Sequence, residues 1–495
     1  MTKHAALPAF LGGPFGVLFL LLGILGCSAP EVDSNGGERA IGSKTEAARP
    51  FPLLASHGEA VWRGPTGTDE SLLLRDGPEY PEVTFMIASD LHHLSPTLWD
   101  EGPAFERFMT TNDGKALRQG RALLRALAAS TAEKRPEFLV VTGDLTTNGA
   151  VVSHREVAET FDAVEAAGIP VYAIPGNHDI ANPWASSFLG AEEDRVVGLE
   201  EAGFAETYAE FGYRESLQRY PGDLSYTVEP KPGLILLMLD TNRYELNRER
   251  GYPVSGGAFS LGQRRWILSV LEEAAEEGKA VLAFSHHSFI SHSGGGGYRD
   301  LSRLIDEWPR NTREFWDRAV PVMFTGHIHA QNIAAIRGVK GEWIYDIATG
   351  AFSIYPHSYR LLRITDEQRL RVEGNRLAPE AFSEEGGSIL RRSKSDYLSG
   401  FVERRAPRIQ EEYSTGRGVS RIMAAYPAIL SINQMAGEEQ PPPTDPFFAE
   451  SRAHWERLAP ERWERLQQYL TADRPPRDND VEIDLATGMW RSVRN

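Results

Sequence analysis

Five short clusters of carboxylate, imidazole and amide side chains recur along the chain. They are Asp90-Leu91-His92, Gly143-Asp144, Gly176-Asn177-His178-Asp179, His286-His287 and Gly326-His327-Ile328-His329. Each follows a short apolar run. One such cluster carries little weight, because a single His-x-His at the end of a strand arises readily by chance. Five in the same position relative to an apolar run describe loops built to converge. Asp, His and Asn are oxygen and nitrogen donors suited to borderline transition metals such as Zn, Mn and Fe. The chain has one Cys, so a thiolate zinc site is excluded. Two divalent cations held about 3.5–4 Å apart repel each other and need a bridging anion, which one carboxylate with two oxygens supplies. The glycines before Asp144, Asn177 and His327 let the backbone approach closely.

The elements that must position these loops are legible in the apolar runs Val83–Ser89, Phe138–Thr142, Val171–Ile174, Leu234–Leu239, Ala280–Ser285 and Val320–Thr325. Between them lie helix-like segments over Lys115–Ala132, Ser153–Ala167 and Leu261–Glu277, and Trp343–Thr349, Ser358–Ile364 and Leu370–Glu373 read as further strands. Buried strands alternating with amphipathic helices predict an α/β domain. In such sheets ligands bind beyond the carboxyl ends of the strands, where the five clusters lie. With 41% hydrophobic residues over 495 positions, the chain can bury a large core. Its 52 Lys and Arg against 69 Asp and Glu give a net charge of -17, which repels polyphosphate backbones and argues against nucleic acid as a partner.

The N-terminus carries Lys3 and His4, then an apolar run from Phe15 to Leu25 and Gly26-Cys27-Ser28. That order describes a secretory signal, and the run is too short for a stable membrane span. Ile24-Leu25-Gly26-Cys27 resembles a bacterial lipobox, which implies cleavage before Cys27, lipid attachment at Cys27 and residence on a membrane outside the cytoplasm. Ser28 after the cysteine resembles lipoproteins sorted to the outer membrane where the host has one. The expected organisation is a signal peptide over 1–26, a tether and irregular lead-in over 27–78, the α/β domain over 79–375 and a mostly helical extension over 376–495. Within that extension Trp455 and Trp463 stand eight residues apart, compatible with one face of a helix that packs on the main domain.

The ordered set D-x-H, G-D, G-N-H-D, H and G-H-x-H resembles the calcineurin-like metallophosphoesterase family, over roughly Val83 to Ile364. Gly257-Ala258-Phe259-Ser260-Leu261-Gly262-Gln263 with Trp266 is similar to a helix start common in its cyclic-nucleotide and glycerophosphodiesterase-like branch. The resemblance implies a four-layer α/β/β/α sandwich with two divalent transition-metal ions (Mn, Fe or Zn) at its rim. It assigns Asp90, His92 and His329 to one metal, Asn177, His286 and His327 to the other, and Asp144 to the bridge. Of the adjacent pair, His286 is the expected ligand and His287 the fallback. His178 would stand beside the phosphate and protonate the leaving oxygen. A hydroxide shared by the two ions would attack phosphorus. The expected substrate is a small phosphoester, a diester in preference to a monoester. A tethered phosphate- or metal-binding lipoprotein with little turnover is the alternative from another class.

Departures narrow this further. Thr147 stands where purple acid phosphatases have a tyrosine, and His92 stands where they lack a histidine. The C-terminal stretch does not resemble the substrate domain of secreted 5′-nucleotidases. Asp179 reads either as a residue that orients its loop or as a local cap, and His93 and His287 as supporting histidines. Ser291-His292-Ser293 and the four glycines that follow read either as a loop closing over the site or as a plain connection. The aromatic-rich insert from Ala181 to Asp223 reads as core or as a wall of the pocket.

Overall fold

Leu234–Leu239 and Ala280–Ser285 are buried at every position, and their residues divide by parity. Leu234, Leu236, Met238, Leu282 and Phe284 join one core, while Ile235, Leu237, Leu239, Val281 and Ala283 join another. Since side chains alternate across a strand, such runs need a layer on each face. The computed structural model, which describes residues 77–292, 303–337, 343–382, 386–438, 446–471 and 477–493, supplies those layers. The signal peptide, Cys27 and all but the last two residues of the tether lie outside the described residues. Among the described residues no helix is long and apolar enough to cross a membrane.

The first sheet contains β1 (Val83–Ala88), β2 (Phe138–Thr142) and β3 (Val171–Ile174), mutually parallel, as in a crossover fold. In the second sheet the pair β4 (Gln218–Arg219) and β5 (Tyr226–Lys231) lies antiparallel at one edge. Beside it β6 (Leu234–Leu239), β7 (Ala280–Ser285), β8 (Val322–Thr325) and β10 (Trp343–Ala348) run parallel. The strand β9 (Asn332–Arg337) closes the far edge antiparallel to β10. On the other side of β1 in the first sheet lie β11 (Ser358–Ile364), β12 (Arg369–Arg376), β13 (Val481–Asp484) and β14 (Trp490–Ser492), all antiparallel.

The sheets meet through aromatic rings. Phe85 of β1 stacks on Phe138 of β2 at 5.2 Å and meets Phe324 of β8 edge-on at 5.6 Å. Two helices, α1 (Gly120–Lys134) and α2 (Val151–Glu165), bury Leu123, Leu127, Val157 and Phe161 in the core of the first sheet. The helix α3 (Leu261–Glu276) packs Ile267, Val270 and Leu271 on the outer face of the second. The result is an α/β fold with a helical C-terminal region, as the residue pattern and the resemblance imply. Ser260 and Gln263 start α3 as a reciprocal capping box, which gives the Gly257–Trp266 stretch a structural role.

Three local expectations change. The helix expected over Lys115–Ala132 begins only at Gly120, because Asn112-Asp113-Gly114 makes a turn and Lys115 bridges Ile354 in β fashion. The extension comprises α4 (Gly386–Tyr413), α5 (Arg417–Met435), α6 (Pro446–Leu458) and α7 (Pro460–Thr471), but its end returns to the first sheet as β13 and β14. Trp455 and Trp463 do not share one helix. Pro460 starts a new one, so Trp455 ends in α6 and Trp463 in α7, their rings stacked at 6.3 Å. Trp455 is buried and donates its indole N–H to the Met423 carbonyl at 2.8 Å, so the pair is core.

Candidate metal centre

All five clusters sit where strands of the two sheets end, at the carboxyl ends of β1, β2, β3, β7 and β8. The loops after β1 and β2 are zipped together by Asp90 N–H to the Gly143 carbonyl (3.0 Å), His92 N–H to the Asp144 carbonyl (2.8 Å) and His93 N–H to the Leu145 carbonyl (3.0 Å). Oδ2 of Asp90 accepts from Ser89 Oγ at 2.6 Å and from the His327 N–H at 3.0 Å. Oδ1 is buried with no hydrogen-bond donor and faces His329 Nε2 at 3.2 Å and His92 Nε2 at 3.7 Å.

Asp144 is the centre of the arrangement. Its Oδ1 accepts the His178 N–H at 2.8 Å, and its Oδ2 lies 3.5 Å from His92 Nε2 and 3.4 Å from His286 Nε2. His286 donates Nδ1–H to the Thr142 carbonyl at 2.8 Å, which leaves a lone pair on Nε2. That Nε2 stands 3.2 Å from Asn177 Oδ1 and 3.1 Å from His327 Nδ1. Two donor sets result, Asp90, His92, Asp144 and His329, and Asp144, His286 and His327, with the ligand atoms of each within 4.8 Å of one another. Asn177 borders the second. His287 lies outside both, bonded through Nδ1 to Thr241 Oγ1 at 2.7 Å and packed against Gly257.

The residues fit divalent cations on chemical grounds. His92 Nε2 and His329 Nε2 face each other at 3.1 Å, beside an Asp90 oxygen that no N–H reaches. Buried acceptors that converge on one another are costly unless a cation satisfies them. Backbone strain points the same way, because Asp90, His92, Asp144, His327 and His329 have φ of 54°, 40°, 51°, 66° and 63°. Non-glycine residues in that region persist only where surrounding structure holds them, and they cluster at functional sites.

The glycine expectation has a physical basis here. A Cβ on Gly176 would lie 2.1 Å from Asp144 N, and one on Gly326 would lie 2.0 Å from Ser89 Oγ. Asp179 is buried and accepts from Gly176 N–H (2.8 Å), Leu145 N–H (3.0 Å), Thr146 N–H (2.9 Å) and Thr146 Oγ1 (2.9 Å). It therefore ties the third loop to the second, which settles its role as orientation. Burial pushes the Asp144 carboxyl up, but the facing His286, His178 and His92 imidazoles hold it well below its ordinary value. Burial lowers His92 and His178, and the Lys115 ammonium adds to both shifts.

His178 is only partly buried and donates Nδ1–H to the Thr147 carbonyl at 2.8 Å, with its ring against His92 at 4.9 Å. Trp184 of the insert comes within 6.5 Å of it, while Phe204, Tyr208 and Tyr213 of the same insert are core. His93 is buried against Glu156 at 2.5 Å. His292 pairs with Asp346 at 3.3 Å, and the glycines after it lie outside the described residues. Sequence reasoning missed Thr142, whose carbonyl takes the His286 Nδ1–H, and Ser353, whose Oγ donates to the Asp90 carbonyl; neither belongs to a motif.

A model of the calcineurin-like phosphoesterase family matches residues 83–331. The chain belongs to this family. Similar solved structures include a dimetal phosphatase from Danio rerio (TM-score 0.42, 16% identity, 61% of this chain and 97% of that one). A phosphopantetheinyl hydrolase from Mycobacterium tuberculosis follows (TM-score 0.29, 14% identity, 56% of this chain and 91% of that one). A hypothetical protein from Thermus thermophilus has TM-score 0.28 and 11% identity, over 60% of this chain and 100% of that one. No curated protein sequence matches the chain. Family membership and the paired donor sets support metal-dependent hydrolysis of phosphoesters by this protein.

Proposed function

We propose that the protein is a dinuclear metallophosphoesterase that cleaves phosphodiesters, held at a membrane outside the cytoplasm by lipid on Cys27. The observation that carries the dinuclear reading is the position of Asp144 Oδ2, between His92 at 3.5 Å and His286 at 3.4 Å. In this reading Asp90, His92 and His329 would hold one ion and Asn177, His286 and His327 the other, with Asp144 offered to both. When bound, paired divalent ions supply Lewis-acid activation of water and of the phosphoryl oxygens. The chain supplies the rest. Asp144 is fixed by the His178 N–H, and Asp179 fixes the loop that brings it there. His178 donates Nδ1–H to Thr147, and in its imidazolium form it would carry a second proton on Nε2 for the leaving oxygen. Binding alone has no need of such a group, which supports an enzyme over a tethered binding module.

The likeness of Gly257–Trp266 to the diesterase branch supports diesters, and an envelope address suits phospholipid-derived or cell-envelope diesters. Metal-stripped protein reloaded with Mn, Zn or Fe should cleave bis(p-nitrophenyl) phosphate faster than p-nitrophenyl phosphate. Preference for the monoester would make it a phosphomonoesterase. Two ions bound per chain without turnover would favour the binding lipoprotein. Labelling with palmitate that survives Cys27→Ala would overturn the anchor.

A further inference from the structure

The strand β10 carries a carboxylate where its pattern calls for an apolar side chain. Tyr345 and Ile347 join one core, and Ile344 joins the core on the outer face of the second sheet. Side chains alternate along a strand, so Asp346 shares that outer face with Ile344. It is fully buried. A carboxylate in such a place is costly unless donors meet it.

Its donors come from the two loops that carry His286 and His327. Oδ2 accepts the Phe289 N–H at 2.6 Å and the Ile290 N–H at 3.0 Å, both in the loop after β7. Oδ1 accepts from Thr325 Oγ1 at 2.5 Å, and Thr325 ends β8 just before Gly326-His327. The two loops also meet where the Gly326 N–H donates to the His286 carbonyl at 3.0 Å. A single hydrogen bond would leave them free to hinge about it, and the carboxylate supplies the second point of attachment. His292 stands beside it, with Nε2 3.3 Å from Asp346 Oδ1 and Nδ1 2.5 Å from Asn332 Oδ1. Asn332 turns its Nδ2 to Asp478 Oδ2 at 3.3 Å, which leaves Oδ1 for the ring. Both nitrogens of His292 therefore face oxygens, as suits an imidazolium. Burial lowers this imidazole, but Asp346 and the groups around it outweigh burial and raise it.

We propose that Asp346 is a positioning residue for the second donor set, pinning the His286 and His327 loops to each other through one carboxylate. This rests on the dinuclear phosphoesterase reading. Asp346 is not a ligand; it acts through the Thr325 hydroxyl and the Phe289 and Ile290 N–H groups. It does for these two loops what Asp179 does for the second and third.

The test titrates Mn into the metal-stripped full chain, with ions per chain counted by mass spectrometry and folding checked in urea. Asn177→Ala removes a residue of the second set only, so it marks the binding phase that belongs to that set. Asp346→Asn should weaken this phase by about 10–100-fold and leave the other unchanged. Thr325→Val, which replaces the hydroxyl by a methyl, should weaken the same phase, and Thr325→Ser should restore it. Where Asp346→Asn does not fold, the Thr325 pair decides. Unchanged affinity for both ions in Asp346→Asn and Thr325→Val overturns the proposal. Equal loss of both ions also overturns it and would make Asp346 a structural residue. Two ions without turnover in the unaltered protein, with the marked phase weakened in Asp346→Asn, would sink the phosphoesterase reading and leave this assignment standing. Turnover with both ions indifferent to Asp346→Asn would do the reverse. A single ion per chain in the unaltered protein would overturn both.

Discussion

Gly176→Ala tests the geometry most directly, because the added group is one methyl and its neighbours are known. The new Cβ would fall 2.1 Å from Asp144 N, 2.3 Å from Asp144 Oδ1 and 2.8 Å from Asp144 Cα. Ordinary contact needs about 3.4 Å or more, so the second and third loops must part by about 1 Å. They cannot part cheaply, since Asp179 ties Gly176 N–H to Leu145 N–H and Thr146 N–H through one carboxylate. Overpacking of this kind costs about 1–3 kcal/mol of stability. The functional loss should be larger. Ligand constellations need placement to about 0.5 Å, and a 1 Å misplacement costs about a hundredfold in rate. The assay compares metal content, chemical denaturation and turnover of the Mn-loaded variant with those of Gly418→Ala, whose Cβ meets nothing within 4 Å. The control should match the unaltered protein in rate. A Gly176→Ala protein with full metal content and a normal rate would refute the claim that Asp144 organises the centre from this position.

Further outcomes follow from the same structure. Asp144→Asn should lose both metal loading and turnover, measured by mass spectrometry and p-nitrophenyl diester cleavage, because Asp144 is the residue shared by both donor sets and its Oδ2 faces both His92 and His286. His178→Ala should retain metal but slow turnover by about 10²–10⁴-fold, with the larger loss for an alkoxide than for a p-nitrophenolate leaving group. Asp179→Asn should weaken metal binding by about 10–100-fold in a competition titration, since an amide nitrogen would then face backbone N–H donors. Burial pushes Glu156 up, but hydrogen bonds from His93, Arg121 and Ser95 outweigh it and hold the carboxyl at about 2 instead of 4.5. A depressed folded pKa stabilises above the unfolded value and is lost as pH falls toward the folded one. The stability gap between the unaltered protein and Glu156→Gln in urea should therefore be full at pH 6 and shrink from about pH 4.5 downward.

The α/β class and the positions of the strands were legible in the sequence because runs such as Leu234–Leu239 are apolar at both parities and can only be buried on two faces. The ligand candidates were legible because Asp90, Asp144, Asn177, His286 and His327 each follow such a run, and strand ends in these folds share a rim. Local pattern ended there. It read Lys115–Ala132 as one helix, since nothing in those residues reveals that Ile354, far along the chain, would claim Lys115 as a β partner. It put Trp455 and Trp463 on one helix face because periodicity looks past a single Pro460. The choice between His286 and His287 was likewise open. The tertiary structure places His286, whose Nδ1–H meets the Thr142 carbonyl, in the donor set with Asp144, and turns His287 to Thr241. The role of Asp179 depends on contacts between separate loops, which no window of sequence contains. Residue types set what chemistry this chain can do, and the packing of the two sheets decided which atoms meet to do it.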